Sequence, residues 1–121
     1  MEKHLKLTPD QRLKNSQKLK EKYPRRLPVI VTTEKGIPKL DKDKFLVPKD
    51  LLLSEFCYVV RQRMTIDSKK ALLLLSNNKL LRPFDTMEEI FEKEKDKDCE
   101  FLYITACGEN TFGTLAYKGK R

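Results

Sequence analysis

The sequence is short of the residues that most active-site chemistry needs. It has one histidine, His4, and three cysteines, Cys57, Cys99 and Cys107, an odd number with no close pair. That usage fits a reduced, cytosolic chain and leaves no ligand set spaced for zinc. There is no glycine-rich phosphate loop and no paired-carboxylate site. Cys57 lies within an otherwise apolar helical stretch and is read as packing, and His4 is expected in a mobile terminus. Neither catalysis nor a cofactor is expected. Long hydrophobic runs are missing too: the longest, residues 71–75 (ALLLL), is far too short to span a bilayer, and no signal peptide is visible. A membrane role would have to come through an anchor or a partner. The chain has no internal repeat.

What is present suits one soluble globular domain. At 121 residues the chain can build a modest core but not two, and its 36% charged content implies a well-charged surface. The net charge of +8 is unevenly spread. Residues 1–26 carry nine Lys/Arg against three Asp/Glu, residues 27–113 carry fourteen against fifteen, and residues 114–121 carry three against none. A nucleic-acid binder more often places its positive stripe on the folded face, so no nucleic acid is expected as a partner. Basic ends suit steering towards an acidic protein or anionic lipid. A small RNA-binding domain and a plain interaction adaptor remain alternatives at this stage.

Residues 41–63 (DKDKFLVPKDLLLSEFCYVVRQR) organise the rest. A short apolar strand, Phe45-Leu46-Val47, stops at Pro48, which has no N–H to give, so the strand reads as a sheet edge. Such an edge must be covered, blunted or used. Lysines flank it and an apolar helix follows, an arrangement that could receive an extended acidic-hydrophobic peptide. The plainer alternative is that Lys42, Lys44 and Lys49 only guard against aggregation.

Elsewhere, Thr8-Pro9-Asp10-Gln11 is a helix start with a capping box and proline in the first turn, and the helix should end near Lys22, before Tyr23-Pro24. Residues 27–33 and 44–47 read as strands, and 53–64 as a helix. Residues 71–76 suit a strand buried on both faces, followed by an Asn77-Asn78 turn into a short strand at 79–81. Thr86-Met87-Glu88-Glu89 repeats the capping box and opens a helix that turns Ile90 and Phe91 inward. Residues 101–106 (FLYITA) are the last strand. This order is that of an α+β, ubiquitin-like β-grasp with an added N-terminal helical region. In that topology the first and last strands pair at the centre, and the second is left on an edge.

Several blocks, in order and spacing, resemble the autophagy-related protein 8 family of ubiquitin-like modifiers, to which GABARAP and the light-chain-3 proteins belong. They are KYPRRLPVIV (22–31), DKDKFLVPKDL (41–51), EFCYVVRQR (55–63), SNNKL (76–80), FLYI (101–104) and GENTFG (108–113). The resemblance implies an N-terminal helical region at 1–22, a core at 23–107, a flexible conjugation tail at 108–113 and a removable extension at 114–121. It also implies a monomer that a cysteine protease trims between Gly113 and Thr114, with Phe112 as the protease's handle. Activating and conjugating enzymes would then couple Gly113 to phosphatidylethanolamine on autophagosomal membranes, leaving the protein cytoplasmic until lipidated.

The same resemblance implies two pockets for receptors and adaptors that carry short acidic-hydrophobic motifs. The first, for an aromatic side chain, would use Leu19, Pro28, Lys44, Leu46 and Phe101. The second, for a branched aliphatic, would use Phe45, Val47, Pro48, Leu51, Phe56 and Val59. Arg26, Lys42 and Lys44 would meet acidic residues that flank the aromatic-x-x-aliphatic core. The chain also departs from the family pattern. Asn15 stands where many members are acidic, Phe45 stands for a tyrosine, and one extra residue lies within 92–100. Leu52 replaces a threonine cap, which should loosen its helix by ~1 kcal/mol unless a neighbour compensates.

Overall fold

The computed structural model describes residues 4, 6–34, 36–67 and 70–108. Helix α1, Pro9–Lys22, begins as its sequence dictates. The Gln11 N–H donates to the Thr8 hydroxyl at 3.2 Å, and the Thr8 N–H donates to the Gln11 side chain at 2.9 Å. The strands are β1 (Arg26–Thr33), β2 (Lys44–Pro48), β3 (Leu72–Ser76), β4 (Lys79–Leu80) and β5 (Leu102–Gly108). They form one sheet in the order β2-β1-β5-β3-β4, with β1 and β5 parallel at the centre and the other pairs antiparallel. Asn77 and Asn78 take φ of 52° and 63°, the left-handed values a tight hairpin turn requires. This is the β-grasp order, and β2 lies on an edge.

Helices α2 (Leu53–Gln62) and α3 (Met87–Glu94) cover one sheet face. The main core lies there, with Val29, Val31, Phe45, Phe56, Val60 and Ile104 among its buried members. The Phe45 and Phe56 rings meet edge to face at 5.6 Å. On the opposite face Ile30, Cys99 and Phe101 form a smaller cluster against Leu19 of α1 and Tyr103. Ser16 is the one buried side chain of α1, so this helix rests on the sheet without forming the core.

The missing threonine cap is compensated by the neighbouring loop. Leu52 has no oxygen to offer, but the Leu53 and Ser54 N–H groups donate to the Asp85 and Pro83 carbonyls at 2.9 and 3.2 Å. In return the Met87 and Glu88 N–H groups donate to the Leu51 and Lys49 carbonyls at 2.8 and 3.0 Å. Glu55 accepts the Leu52 N–H at 3.0 Å, and Leu52 bridges Thr86. Each helix start thus supplies acceptors for the other's orphan donors.

Several boundaries, and the placement of His4, differ from the sequence reading. Helix α2 ends at Gln62 because Arg63 leaves helical geometry, with φ of −94° and ψ of 0°. Strand β5 runs past Ala106 to Gly108 because Cys107 and Gly108 pair with Leu73 and Leu72. His4 is docked rather than loose: it is 4% exposed, packs edge to face on Phe101 at 4.7 Å, and shares a 2.7 Å hydrogen bond with the Tyr103 hydroxyl. Among the described residues no helix is long and apolar enough to cross a membrane, and no cluster of His, Cys, Asp and Glu could hold a metal ion.

Candidate docking edge

The backbone of β2 is set up to accept another strand. Val31 donates to the Asp43 carbonyl at 2.8 Å and Lys49 to the Arg25 carbonyl at 3.2 Å, which fixes the hydrogen-bonded pairs along β1 and β2. The intervening pairs, Ile30 with Lys44, Pro28 with Leu46 and Arg26 with Pro48, are then non-hydrogen-bonded. The main-chain polar groups of Lys44 and Leu46 therefore face outward along the edge. The missing Pro48 N–H faces the same way and costs the β1–β2 ladder nothing. One of these outward groups is covered, since Arg26 Nη1 donates to the Leu46 carbonyl at 3.0 Å.

The edge has a different apolar surface on each sheet face. On the α1 face the structure brings Leu19, Pro28, Lys44, Leu46 and Phe101 together. Pro28 and Phe101 are fully buried and make the floor, while Leu19, Lys44 and Leu46 are half-buried at its rim. Lys44 Nζ stands 5.9 Å from the Phe101 ring centre. On the α2 face, Phe45, Val47 and Phe56 are buried core. Leu51 is half-buried against this core and Val59 is exposed, whereas Pro48, also half-buried, is in phase with Lys44 and Leu46 on the other face. A shallow groove of about 410 Å³ lies here, lined by Leu51, Ser54, Glu55, Tyr58 and Val59. Of the six residues expected in the second pocket, only Leu51 and Val59 line this groove. Ser54, Glu55 and Tyr58 line the groove as well and were not among the expected residues. Their signal was the three- and four-residue spacing that puts them beside Leu51 and Val59 on one helical surface.

The two surfaces lie on opposite faces of the sheet. Successive side chains of an added strand alternate between faces, so residues an odd number apart reach opposite sides of the sheet. Residues three positions apart on such a strand, about 10 Å, would therefore face the Leu46 surface and the Leu51–Val59 surface.

The rim is electropositive. Arg26 and Lys42 are exposed, with Lys42 Nζ 5.6 Å from the Phe45 ring centre. His4 senses this field: burial first, then the Arg12 and Lys44 charges, lower its pKa from 6.5 to about 4 and keep the imidazole neutral. Tyr103, half-buried beside it, is pushed well above the ordinary phenol range by that burial and by its hydrogen bond with Cys99. Burial also raises the Cys57 and Cys107 thiols, which makes them poor nucleophiles. Phe112, Gly113 and Thr114, the expected cleavage and conjugation residues, lie outside the described residues.

The chain matches the family description "Autophagy protein Atg8 ubiquitin like" over residues 11–113. It is 44% identical over 106 residues to autophagy-related protein 8a of Arabidopsis thaliana, covering 86% of each chain. It is 40% identical over 108 residues to autophagy-related protein 8 of Vanderwaltozyma polyspora, covering 88% of this chain and 91% of that one. Among solved structures it resembles Trypanosoma brucei ATG8 with a TM-score of 0.81 at 36% identity, over 87% of this chain and 91% of the other. With this sheet order and these matches, the chain belongs to the Atg8 family of ubiquitin-like autophagy proteins.

Proposed function

We propose that this protein is a modifier conjugated through Gly113 to phosphatidylethanolamine on autophagosomal membranes, where its β2 edge recruits receptors and adaptors. The observation that carries the conjugation half is the extent of the family match, which ends on Gly113 and leaves Thr114–Arg121 beyond it. Hydrolysis of the Gly113–Thr114 bond by a cysteine protease adds water across the amide, leaving a carboxylate on Gly113 and an amine on Thr114. A carboxylate does not react with amines at neutral pH, so partner enzymes must adenylate it and pass it on as a thioester before a lipid amine attacks. Glycine suits each step, because without a Cβ it threads narrow clefts and leaves its carbonyl open. The chain is the substrate of these steps and supplies no catalytic group to them, in keeping with the Cys57 and Cys107 thiols that burial raises.

The docking half is supported by the outward main-chain groups of Lys44 and Leu46 and by the two apolar surfaces flanking them. Arg26 would give up the Leu46 carbonyl and turn to an acidic residue flanking the ligand's core, while Lys42 and Lys44 lie towards acids upstream of its aromatic. Before lipidation the protein is cytoplasmic; afterwards it is membrane-bound. Intact-mass measurement on protein recovered from cells tests the conjugation half. The expected result is loss of the eight residues 114–121 followed by gain of one phospholipid. Recovery of only the full-length, unmodified chain under autophagy-inducing conditions would favour an unconjugated adaptor.

A further inference from the structure

The chain carries the ligand pattern of its own docking edge. Glu109-Asn110-Thr111-Phe112-Gly113-Thr114-Leu115 places an aromatic and a branched aliphatic residue three positions apart, with an acidic residue upstream. We propose that, before cleavage, this segment of one copy docks as an added strand on the β2 edge of a second copy, an inference that rests on the docking proposed above. Phe112 would enter the Leu46 surface and Leu115 the Leu51–Val59 groove. Charge agrees at both ends. Glu109 would lie towards Lys42 and Lys44 at the start of β2, and Lys118, beyond Leu115, towards Glu55 of the groove.

Geometry decides between a chain folding back on itself and a second copy. Thr33 pairs with Ala106, and Ile30 pairs with Lys44, the nearer end of the cleft. Gly108 therefore sits about five residues, or roughly 17 Å, beyond that end along the strand direction. The added-strand position is three strand spacings from β5, roughly 14 Å sideways. The separation is thus about 22 Å, whereas the four residues from Gly108 to Phe112 reach at most about 14 Å. A chain cannot fill its own cleft, so the contact is head-to-tail between copies. Cleavage after Gly113 cuts between Phe112 and Leu115. The cut that frees the carboxylate thereby destroys the internal ligand and opens the edge to receptors.

Sedimentation velocity over a concentration series would compare the full chain, a form ending at Gly113, and the Phe112→Ala/Leu115→Ala double variant of the full chain. A labelled peptide of residues 108–121 would be titrated into the form ending at Gly113. A second peptide, with an aromatic-x-x-aliphatic core and upstream acids, serves as the control ligand. The proposal expects the sedimentation coefficient to rise with concentration for the full chain alone. It also expects the tail peptide to bind and to lose about tenfold or more in affinity when Phe112 and Leu115 become alanine. If the control peptide binds and the tail peptide does not, the proposal is overturned while edge docking stands. If neither binds, edge docking fails and this proposal with it. A monomeric full chain that binds the control peptide more weakly than the form ending at Gly113 would mean docking within one chain, and would overturn the head-to-tail contact.

Discussion

Phe101 and Leu46 belong to the same expected pocket, yet burial separates their roles. Phe101 is fully buried between His4, Leu19 and Ile30, whereas Leu46 is half-buried on the edge. Truncating Phe101 to alanine should therefore cost roughly 3–5 kcal/mol of stability, so lost binding in that variant would not report on docking alone. Leu46→Ala should leave urea unfolding little changed and weaken an aromatic-x-x-aliphatic peptide by about 1–3 kcal/mol in calorimetric titration. Unchanged peptide affinity would remove Leu46 from the site. His4 supplies a second test at this scale. Above about pH 6.5 its ring is neutral whether docked or free. As pH falls from there to about 4, the free chain takes up a proton that docked His4 refuses, so the docked state loses at most about 3 kcal/mol. The single histidine gives one unambiguous proton resonance, whose titration midpoint should lie near 4. A midpoint near 6.5 would mean that His4 is not held against Phe101. Its docking was not legible in the sequence because too little pattern surrounds it, and its partners, Phe101 and Tyr103, lie at the far end of the chain.

The fold was legible element by element wherever a local device set it. The Thr8 and Thr86 capping boxes and the paired asparagines of the β3–β4 turn each state their conformation within four residues or fewer. The edge position of β2 was legible from Pro48, whose missing donor does least harm facing solvent. What local sequence could not show was the joint between α2 and α3, because its bonds link residues 49–54 to 83–88 through main-chain atoms that any sequence supplies. Thr86 sits in this joint: its hydroxyl accepts the Glu89 N–H at 3.2 Å and its backbone bridges Leu52. Thr86→Ala should cost about 1–2 kcal/mol in urea unfolding. Leu52→Thr should gain less than about 1 kcal/mol, since neighbouring carbonyls already receive the first donors of α2. A larger gain would mean that the joint does not do the work of a cap. The groove was only half legible for a related reason. Phe45, Val47 and Phe56 carry the apolar pattern, but the sheet turns them into the core and leaves Tyr58, Glu55 and Ser54 at the surface.

At the scale of the whole molecule the edge and the tail are separate devices. The cleft lies near the start of β1, and β5 delivers Gly108 beyond the opposite end of that strand. A partner could thus hold the edge while the tail is tied to a membrane. Charge alone would not tie it: the proposed cleavage after Gly113 would remove Lys118, Lys120 and Arg121 and lower the net charge from +8 to +5 (8 − 3), and exposed lysines give only screened attraction to lipid. Two acyl chains delivered together anchor stably where one is marginal. The most direct measurement is lipidation with purified protease, activating and conjugating enzymes and phosphatidylethanolamine vesicles, read by gel shift and flotation. Three forms would be compared: the full chain, Gly113→Ala, and a form ending at Gly113. The full chain should shift and float only after processing, the truncated form should bypass the protease yet still need the other enzymes, and Gly113→Ala should remain unshifted and fail to float. Lipidation of Gly113→Ala at the full chain's rate would contradict the account, because the lipid would then be attached without the glycine carboxylate on which it depends.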